Sequence, residues 1–143
     1  IQALLENIAP HPAVLSIEER SPAILQNKFS RYIIQTDRPG RRDLWDVGLE
    51  GNGETIAVSD TGMDVDNCWF RDPLDDPIGI NHRKIAYYNS AQGGDGKDRR
   101  GGHGSHVVGS LLGNAYFPQD PDLEKKASNF NGMAPDARVA FFD

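Results

Sequence analysis

Two short segments of the sequence carry residues that together could activate a nucleophile. Asp60 lies in VSDTGMD (residues 58–64), directly after an apolar run, and His103 lies in GGHGSHVVG (residues 101–109). A carboxylate that accepts the Nδ1–H of an imidazole fixes the tautomer of the ring and stabilises its protonated form. The other ring nitrogen is then free to take a proton from a hydroxyl nucleophile. The two residues therefore predict an acid–base pair. Each residue alone also has an ordinary structural explanation: Asp60 as the cap of a turn, and His103 as a helix cap or a surface group.

The same part of the sequence allows two other catalytic chemistries. Cys68 with His103 would be the start of a thiol protease, but Cys68 has no supporting motif and is followed by two aromatic residues. That context favours a buried or incidental thiol. His103 and His106 with Asp60 would suggest zinc, but no third convincing ligand and no His-Glu-x-x-His pattern support it. We therefore predict no metal at the site of the chemistry.

An acidic segment between Asp60 and Asp76 is a second candidate for cation binding. It holds six aspartates and one basic residue, Arg71. Carboxylate oxygens are the ligands that calcium prefers, but the spacing does not match an EF-hand loop. A solvated acidic loop is the favoured explanation. The chemistry itself is predicted to need no cofactor, and a structural calcium ion stays open.

The glycine-rich loops and the composition exclude several other classes of function. Gly96-Lys97 is followed by Asp98 instead of Ser or Thr, so it is not a P-loop. Gly51-x-Gly53 precedes its strand, whereas a dinucleotide fingerprint follows one. The 143 residues include 15 basic and 21 acidic ones and carry a net charge of −6. A negatively charged chain is a poor candidate for binding the phosphate backbone of a nucleic acid. No apolar run approaches the roughly 20 residues that span a bilayer. We therefore predict no nucleic-acid partner and no membrane segment in this chain.

Short apolar strands and one clear helix must position the candidate residues. The runs at 54–59, 84–88 and 137–142 predict three strands, and the first is apolar enough to suggest a central strand covered on both faces. Apolar residues recur at helical spacing within 103–113 and predict a helix there. Together they predict an α/β fold with a parallel sheet, in which catalytic groups collect at the carboxyl ends of the strands.

The remaining segments have weaker signals. Val14–Ile17 and Phe29–Thr36 are rich in residues that favour extended structure and predict strands. Residues 41–49 predict one short helical turn. Residues 61–82 predict a loop, and residues 114–131 predict a polar excursion with Asp-Pro-type breaks.

Three motifs that occur in order resemble those of the subtilisin-like serine peptidases, the subtilases. Residues 58–64 resemble the aspartate motif of the family, and residues 102–109 resemble its histidine motif, His-Gly-Thr-His-Val-Ala-Gly. Residues 132–135 (GMAP), followed by a strand, resemble the Gly-Val-Ala-Pro segment that comes next. The resemblance covers roughly residues 40–143. It implies an incomplete subtilisin-like α/β fold, of which this chain is the N-terminal portion.

The resemblance assigns a role to each matching residue. It implies that Asp60 is the orienting carboxylate and His103 the general base, with His106 as a structural histidine. Ser105 stands where the family has threonine, so a hydroxyl is kept. Asp64 is interpreted as support for the loop. The histidine at 103 also separates the chain from the sedolisins, which use a glutamate as the base.

The serine that would complete an Asp-His-Ser triad is absent from this sequence. The family's Gly-Thr-Ser-x-Ala motif does not occur, and the remaining serines lack its context. We expect the complete enzyme to be a serine-type endopeptidase acting on protein or peptide substrates. The fragment alone is expected to hydrolyse no peptide. The alternative is a catalytically inactive subtilase-like binding module or pseudopeptidase.

The N-terminal segment is similar to the end of a subtilase propeptide. We expect a propeptide remnant and lead-in over residues 1–36, the catalytic domain from residue 37 to 143, and a cleavage point near Gln26–Lys28. The chain begins at Ile1 and ends within a strand-like run, as a piece of a longer protein would. The resemblance also implies that the propeptide is a partner of the enzyme and that the protein follows a secretory route.

Overall fold

A computed structural model describes residues 2–17, 27–90, 93–98 and 101–143 of the chain. Its helical elements are α1 (Gln2–Ile8), α2 (Asn27–Gln35), α3 (Asp43–Asp46), α4 (His103–Leu112), α5 (Pro121–Ala127) and the 3₁₀ turn η1 (Ser128–Phe130). The strands are β1 (Thr55–Ser59), β2 (Ile85–Asn89) and β3 (Arg138–Phe142). None of the helices in these ranges is long and apolar enough to cross a membrane.

The three strands form one parallel sheet in the order β1-β3-β2. The last strand in sequence therefore lies in the middle, where Ala140 pairs with Ala57 of β1 and with Tyr87 of β2. A parallel arrangement places all three carboxyl ends at one edge. This confirms the predicted α/β class and defines the edge at which functional groups should collect.

The core lies between α4 and the sheet. Val108 and Leu112 of α4 and Val139 and Phe141 of β3 are completely buried. The spacing of the two α4 residues, four positions apart, places them on one face of the helix. That face packs on the central strand and so fixes the beginning of α4 relative to the carboxyl edge of the sheet.

Most of the predicted elements near the candidate residues are confirmed. The three strands and the helix form within a residue or so of their predicted limits, α3 forms within residues 41–49, and residues 61–82 form a loop. The prediction that β1 is a central strand covered on both faces is wrong. β1 lies at one edge of the described sheet, and exposed residues alternate along it with Ile56 and the buried Val58, because within the described residues only one face of the strand packs on the core.

The predictions for the N-terminal segment are wrong where the structure describes it. Residues 14–17 form no strand, and residues 29–35 lie in α2 instead of an extended run. Tertiary contacts explain the helix: Arg31 donates a hydrogen bond to the carbonyl of Ser128 at 3.1 Å and lies over the ring of Trp45 at 5.6 Å. These contacts outweigh the weak strand preference of the segment.

The boundaries predicted for the N-terminal segment stay predictions. The expected cleavage point near Gln26–Lys28 includes Gln26, which lies outside the described ranges. The division at residue 36 likewise stays a prediction.

Residues 114–131, predicted to be a polar excursion, contain the helix α5, which was not predicted from the sequence.

Candidate active site

The carboxyl edge of the sheet and the first turn of α4 bring the two candidate residues together. Asp60 comes directly after β1, and its backbone N–H donates to the carbonyl of Phe142, the last residue of β3, at 3.1 Å. His103 is the first residue of α4. Gly102 before it has φ 85°, a left-handed conformation that glycine adopts without the cost of a Cβ. The chain therefore turns sharply into the helix at the imidazole.

A hydrogen bond joins the two side chains. Nδ1 of His103 lies 2.8 Å from Oδ1 of Asp60. Because an ionised carboxylate can only accept, the proton of this bond lies on Nδ1, and in the neutral ring Nε2 then carries the lone pair. The side chain of His103 is 64% exposed, whereas that of Asp60 is 13% exposed. The geometry thus offers a proton acceptor to a group arriving from the open side of the ring.

Asp60 is held in its charged form. Its pKa lies below the ordinary value, first because the backbone N–H of Thr61 donates to Oδ1 at 2.7 Å, and second because of the bond to His103. The hydroxyl of Thr61 adds a third contact at 3.2 Å. These donors outweigh the partial burial, which acts in the opposite direction.

The segment after Asp60 is in backbone contact with α4. A Cβ on Gly104 would overlap the carbonyl oxygen of Gly62, so the two chains approach as closely as glycine allows. One residue further on, the hydroxyl of Ser105 accepts the backbone N–H of Asp64 at 2.7 Å. Either serine or threonine can supply that acceptor, and Asp64 holds the loop through its backbone.

His106 lies one turn after His103 and lines a different space. It borders a largely apolar cavity of about 540 Å³, together with Trp69, Ser110 and Met133. Within the described ranges, no three His, Cys, Asp or Glu side chains lie close enough together to bind a metal ion. The geometry therefore does not join the two histidines into a zinc site there.

The acidic segment uses its most buried carboxylate to organise its own loop. Asp72 accepts the backbone N–H groups of Leu74 at 2.8 Å, Asp76 at 3.3 Å and Arg83 at 2.7 Å. Burial opposes the charged form of Asp72, but the three donors outweigh it and lower the pKa. Three backbone N–H groups thus share the two oxygens of Asp72, which ties this carboxylate to its own loop.

Cys68 is half-buried and lies in a setting that keeps it protonated. Burial raises the pKa of its thiol above the ordinary value. Its sulfur donates to Asn67 Oδ1 at 3.7 Å. A nucleophilic cysteine needs the opposite shift, so the environment of Cys68 does not favour a thiol mechanism.

One polar network at this edge was not predicted from the sequence. The hydroxyl of Tyr88 accepts the backbone N–H of Met63 at 3.3 Å, and burial together with the nearby carboxylate of Asp143 raises its pKa. Asp143 in turn accepts the N–H of Gly96 at 2.8 Å. A tyrosine within a strand gives no sequence signal for such a role, because the contact depends on the order of the strands in the sheet.

An ionised aspartate bonded to a histidine at the carboxyl edge of a parallel α/β sheet is the type of arrangement that acyl-transfer hydrolases use. Residues 51–143 match the model of the subtilase family of peptidases. The chain therefore belongs to the subtilase family. No solved structure matches the chain.

The similar proteins carry protease names. The chain is 37% identical over 150 residues to "Serine protease/ABC transporter B family protein tagA" of Dictyostelium discoideum. That alignment covers the whole of this chain and 8% of the relative. It is 39% identical over 105 residues to tagD of the same organism, covering 71% of the chain and 5% of tagD. It is 27% identical over 124 residues to "Subtilisin-like protease 1" of Arthroderma gypseum, covering 78% of the chain and 23% of that protein. The chain thus spans a small part of each relative.

Proposed function

We propose that this chain supplies the aspartate and histidine of an Asp-His-Ser triad in a serine-type endopeptidase. The observation that carries the proposal is the 2.8 Å bond between Asp60 Oδ1 and His103 Nδ1. Membership of the subtilase family supports it, since the two residues occupy the aspartate and histidine motifs. A serine from a segment outside these 143 residues would complete the triad.

Each residue then has a defined step. His103 Nε2 takes the proton from the serine hydroxyl as the oxygen attacks the peptide carbonyl. Asp60 holds the ring through Nδ1 and stabilises the positive charge that the imidazole gains. The same nitrogen returns the proton to the leaving amine, and water then hydrolyses the acyl-enzyme in a second round of the same transfers. The two residues need no metal or organic cofactor for these steps.

Substitution of the two residues in the full-length protein tests the proposal. Asp60→Asn keeps the shape of the side chain but removes its charge, and we expect kcat to fall by about 10⁴-fold, as in other enzymes with this triad. His103→Ala should lower kcat at least as much. Asp75→Asn is the matched control, because Asp75 is exposed and its φ of 54° is tolerated by asparagine.

The assay combines peptide hydrolysis with labelling by a fluorophosphonate. The parent protein and Asp75→Asn should react, and His103→Ala should lose both hydrolysis and labelling while remaining folded. An Asp60→Asn variant with near-normal kcat would contradict the proposed role of Asp60. A parent protein that neither hydrolyses peptides nor takes the label would favour the alternative, a subtilase-like binding module.

The proposal also concerns the fragment. Residues 1–143 alone should hydrolyse no peptide, because the nucleophile motif is absent. Peptide hydrolysis by the purified fragment that disappears in His103→Ala would refute this.

We further propose that residues 1–36 are the end of a propeptide with its lead-in, that cleavage falls near Gln26–Lys28 and that the protein enters the secretory route. Family membership alone supports these three points. N-terminal sequencing of the mature protein tests the first two, and secretion of a tagged full-length protein tests the third.

A further inference from the structure

One tyrosine hydroxyl joins three segments at the carboxyl edge of the sheet. Tyr88, on β2, accepts the backbone N–H of Met63 at 3.3 Å, and its hydroxyl lies near the carboxylate of Asp143, which directly follows β3. Asp143 also donates its backbone N–H to the carbonyl of Asn89 at 2.9 Å and accepts the N–H of Gly96 at 2.8 Å. The phenol therefore bridges the loop after β1 to the ends of β2 and β3.

The loop that Tyr88 contacts is the one that carries Asp60. Three backbone N–H groups of residues 60–64, here called the aspartate loop, donate to residues outside the loop. Asp60 N–H donates to Phe142, Asp64 N–H donates to Ser105, and Met63 N–H donates to Tyr88. The first two contacts hold the ends of the loop, and the Tyr88 contact holds its middle.

The N–H group of Met63 lies in a buried part of the loop, where Gly62 also packs against Gly104 of α4. Met63 is 1% exposed, so water cannot readily replace Tyr88 as the partner of its N–H group. Gly62, just before it, has φ 94°, a backbone conformation that residues with a Cβ rarely adopt. Loss of the hydroxyl would leave a buried donor without its acceptor. The loop would be expected to shift until that N–H finds another partner.

We propose that Tyr88 is a positioning residue for catalysis, acting through the aspartate loop on the bond between Asp60 and His103. The inference rests on the proposed function, because it assigns Tyr88 a part in orienting that pair. Tyr88 touches neither the imidazole nor the substrate in this scheme. Its contribution is to keep the carboxylate where Nδ1 of His103 can meet it.

Tyr88→Phe removes only the hydroxyl. The ring of Tyr88 stacks on Phe141, with centroids 5.2 Å apart and planes at 25°, and phenylalanine preserves that packing. Tyr87→Phe is the matched control, because Tyr87 is the next residue on the same strand, is 48% exposed and points to the opposite face. Both variants remove one phenol oxygen from the same strand.

Steady-state kinetics of the full-length protein give the first readout. Displacement of a catalytic group by about 1 Å can cost roughly 100-fold. We expect Tyr88→Phe to lower kcat by roughly ten- to a hundredfold, with KM within about twofold of the parent and a folded protein by thermal melting. Tyr87→Phe should leave both constants within about twofold. Unchanged kcat in Tyr88→Phe, equal losses in the two variants, or a change confined to KM would overturn the proposal.

A second readout does not depend on turnover. The Nδ1 proton shared with Asp60 should give a low-field proton resonance in the parent protein, assigned by its loss in His103→Ala. The resonance should be lost or broadened in Tyr88→Phe and retained in Tyr87→Phe. A resonance that is identical in Tyr88→Phe refutes the positioning role, even if the parent protein proves to have no peptidase activity. A parent without activity refutes the proposed function separately.

Discussion

Gly104→Ala is the substitution that most directly tests whether close backbone contact sets the geometry of the site. Gly104 is buried in the first turn of α4, next to His103. A Cβ at this position would overlap the carbonyl oxygen of Gly62 and would also come within 3.4 Å of the ring of Phe141. Backbone lies on the first side and a fully buried ring on the second, so neither neighbour can rotate away.

The size of the effect follows from these contacts. Carbon and oxygen atoms pack at about 3.5 Å, so α4 and the aspartate loop would have to separate by roughly 1.5 Å. The bond between Asp60 and His103 is 2.8 Å long and bridges the same two segments. The same separation would stretch it beyond hydrogen-bonding distance. We expect kcat of the full-length protein to fall by about 100-fold or more.

Gly109→Ala, on the same helix, is the control. Its Cβ would lie 3.8 Å from the ring of Phe70, an ordinary contact. Alanine also favours a helix over glycine by about 1 kcal/mol, so this variant should keep its activity and melt no lower than the parent. Peptide hydrolysis and thermal melting of both variants make the comparison. A Gly104→Ala protein with kcat near that of the parent would refute the argument that backbone contact sets the distance between Asp60 and His103.

Two further predictions concern Lys84 and Cys68. Lys84 is 1% exposed and donates to the carbonyls of Pro135 and Ala137, and burial lowers its pKa from 10.5 to about 7. Between these values the unfolded chain binds a proton that the folded chain lacks, so the free energy of unfolding should rise with pH, by at most about 1.4 kcal/mol per pH unit. Urea denaturation at pH 7.5 and 9 should show the parent gaining about 2 kcal/mol more than Lys84→Met, and parallel changes would contradict this assignment. Cys68→Ser should keep kcat within about twofold, as should thiol alkylation of the parent, and loss of peptidase activity in both would show that the thiol takes part.

The sequence was sufficient to predict the parts of the site whose signals are local. Asp60 and His103 lie in contiguous motifs, and the helix after His103 has a clear apolar stripe that becomes the buried face of α4. The helix α5 also had local signals, which were interpreted as breaks. The side chain of Asp120 accepts the N–H of Leu123 at 2.9 Å, and Pro121 occupies the first helical position. This pair is a common start of a helix.

The parts that could not be predicted depend on contacts between distant segments. Ile33 and Ile34 favour a strand, but α2 forms where Arg31 meets Ser128 and Trp45. The role of Tyr88 likewise requires β3 to lie between β1 and β2, an order that no local pattern encodes. Long-range packing therefore decides which of several locally acceptable conformations the chain adopts.

The causes of the low pKa of Asp60 indicate which of the two residues, Asp60 or His103, determines the position of the other. The largest cause of its low pKa is the backbone N–H of Thr61, its own neighbour, and the bond to His103 comes second. The carboxylate would therefore remain charged and oriented even without the imidazole. His103, by contrast, is 64% exposed on its side chain and depends on Asp60 for its orientation. It follows that the position of the aspartate loop determines the position of the ring. Contacts that hold this loop, from Ser105 and Tyr88, should therefore affect catalysis more than equally strong contacts elsewhere in the fold.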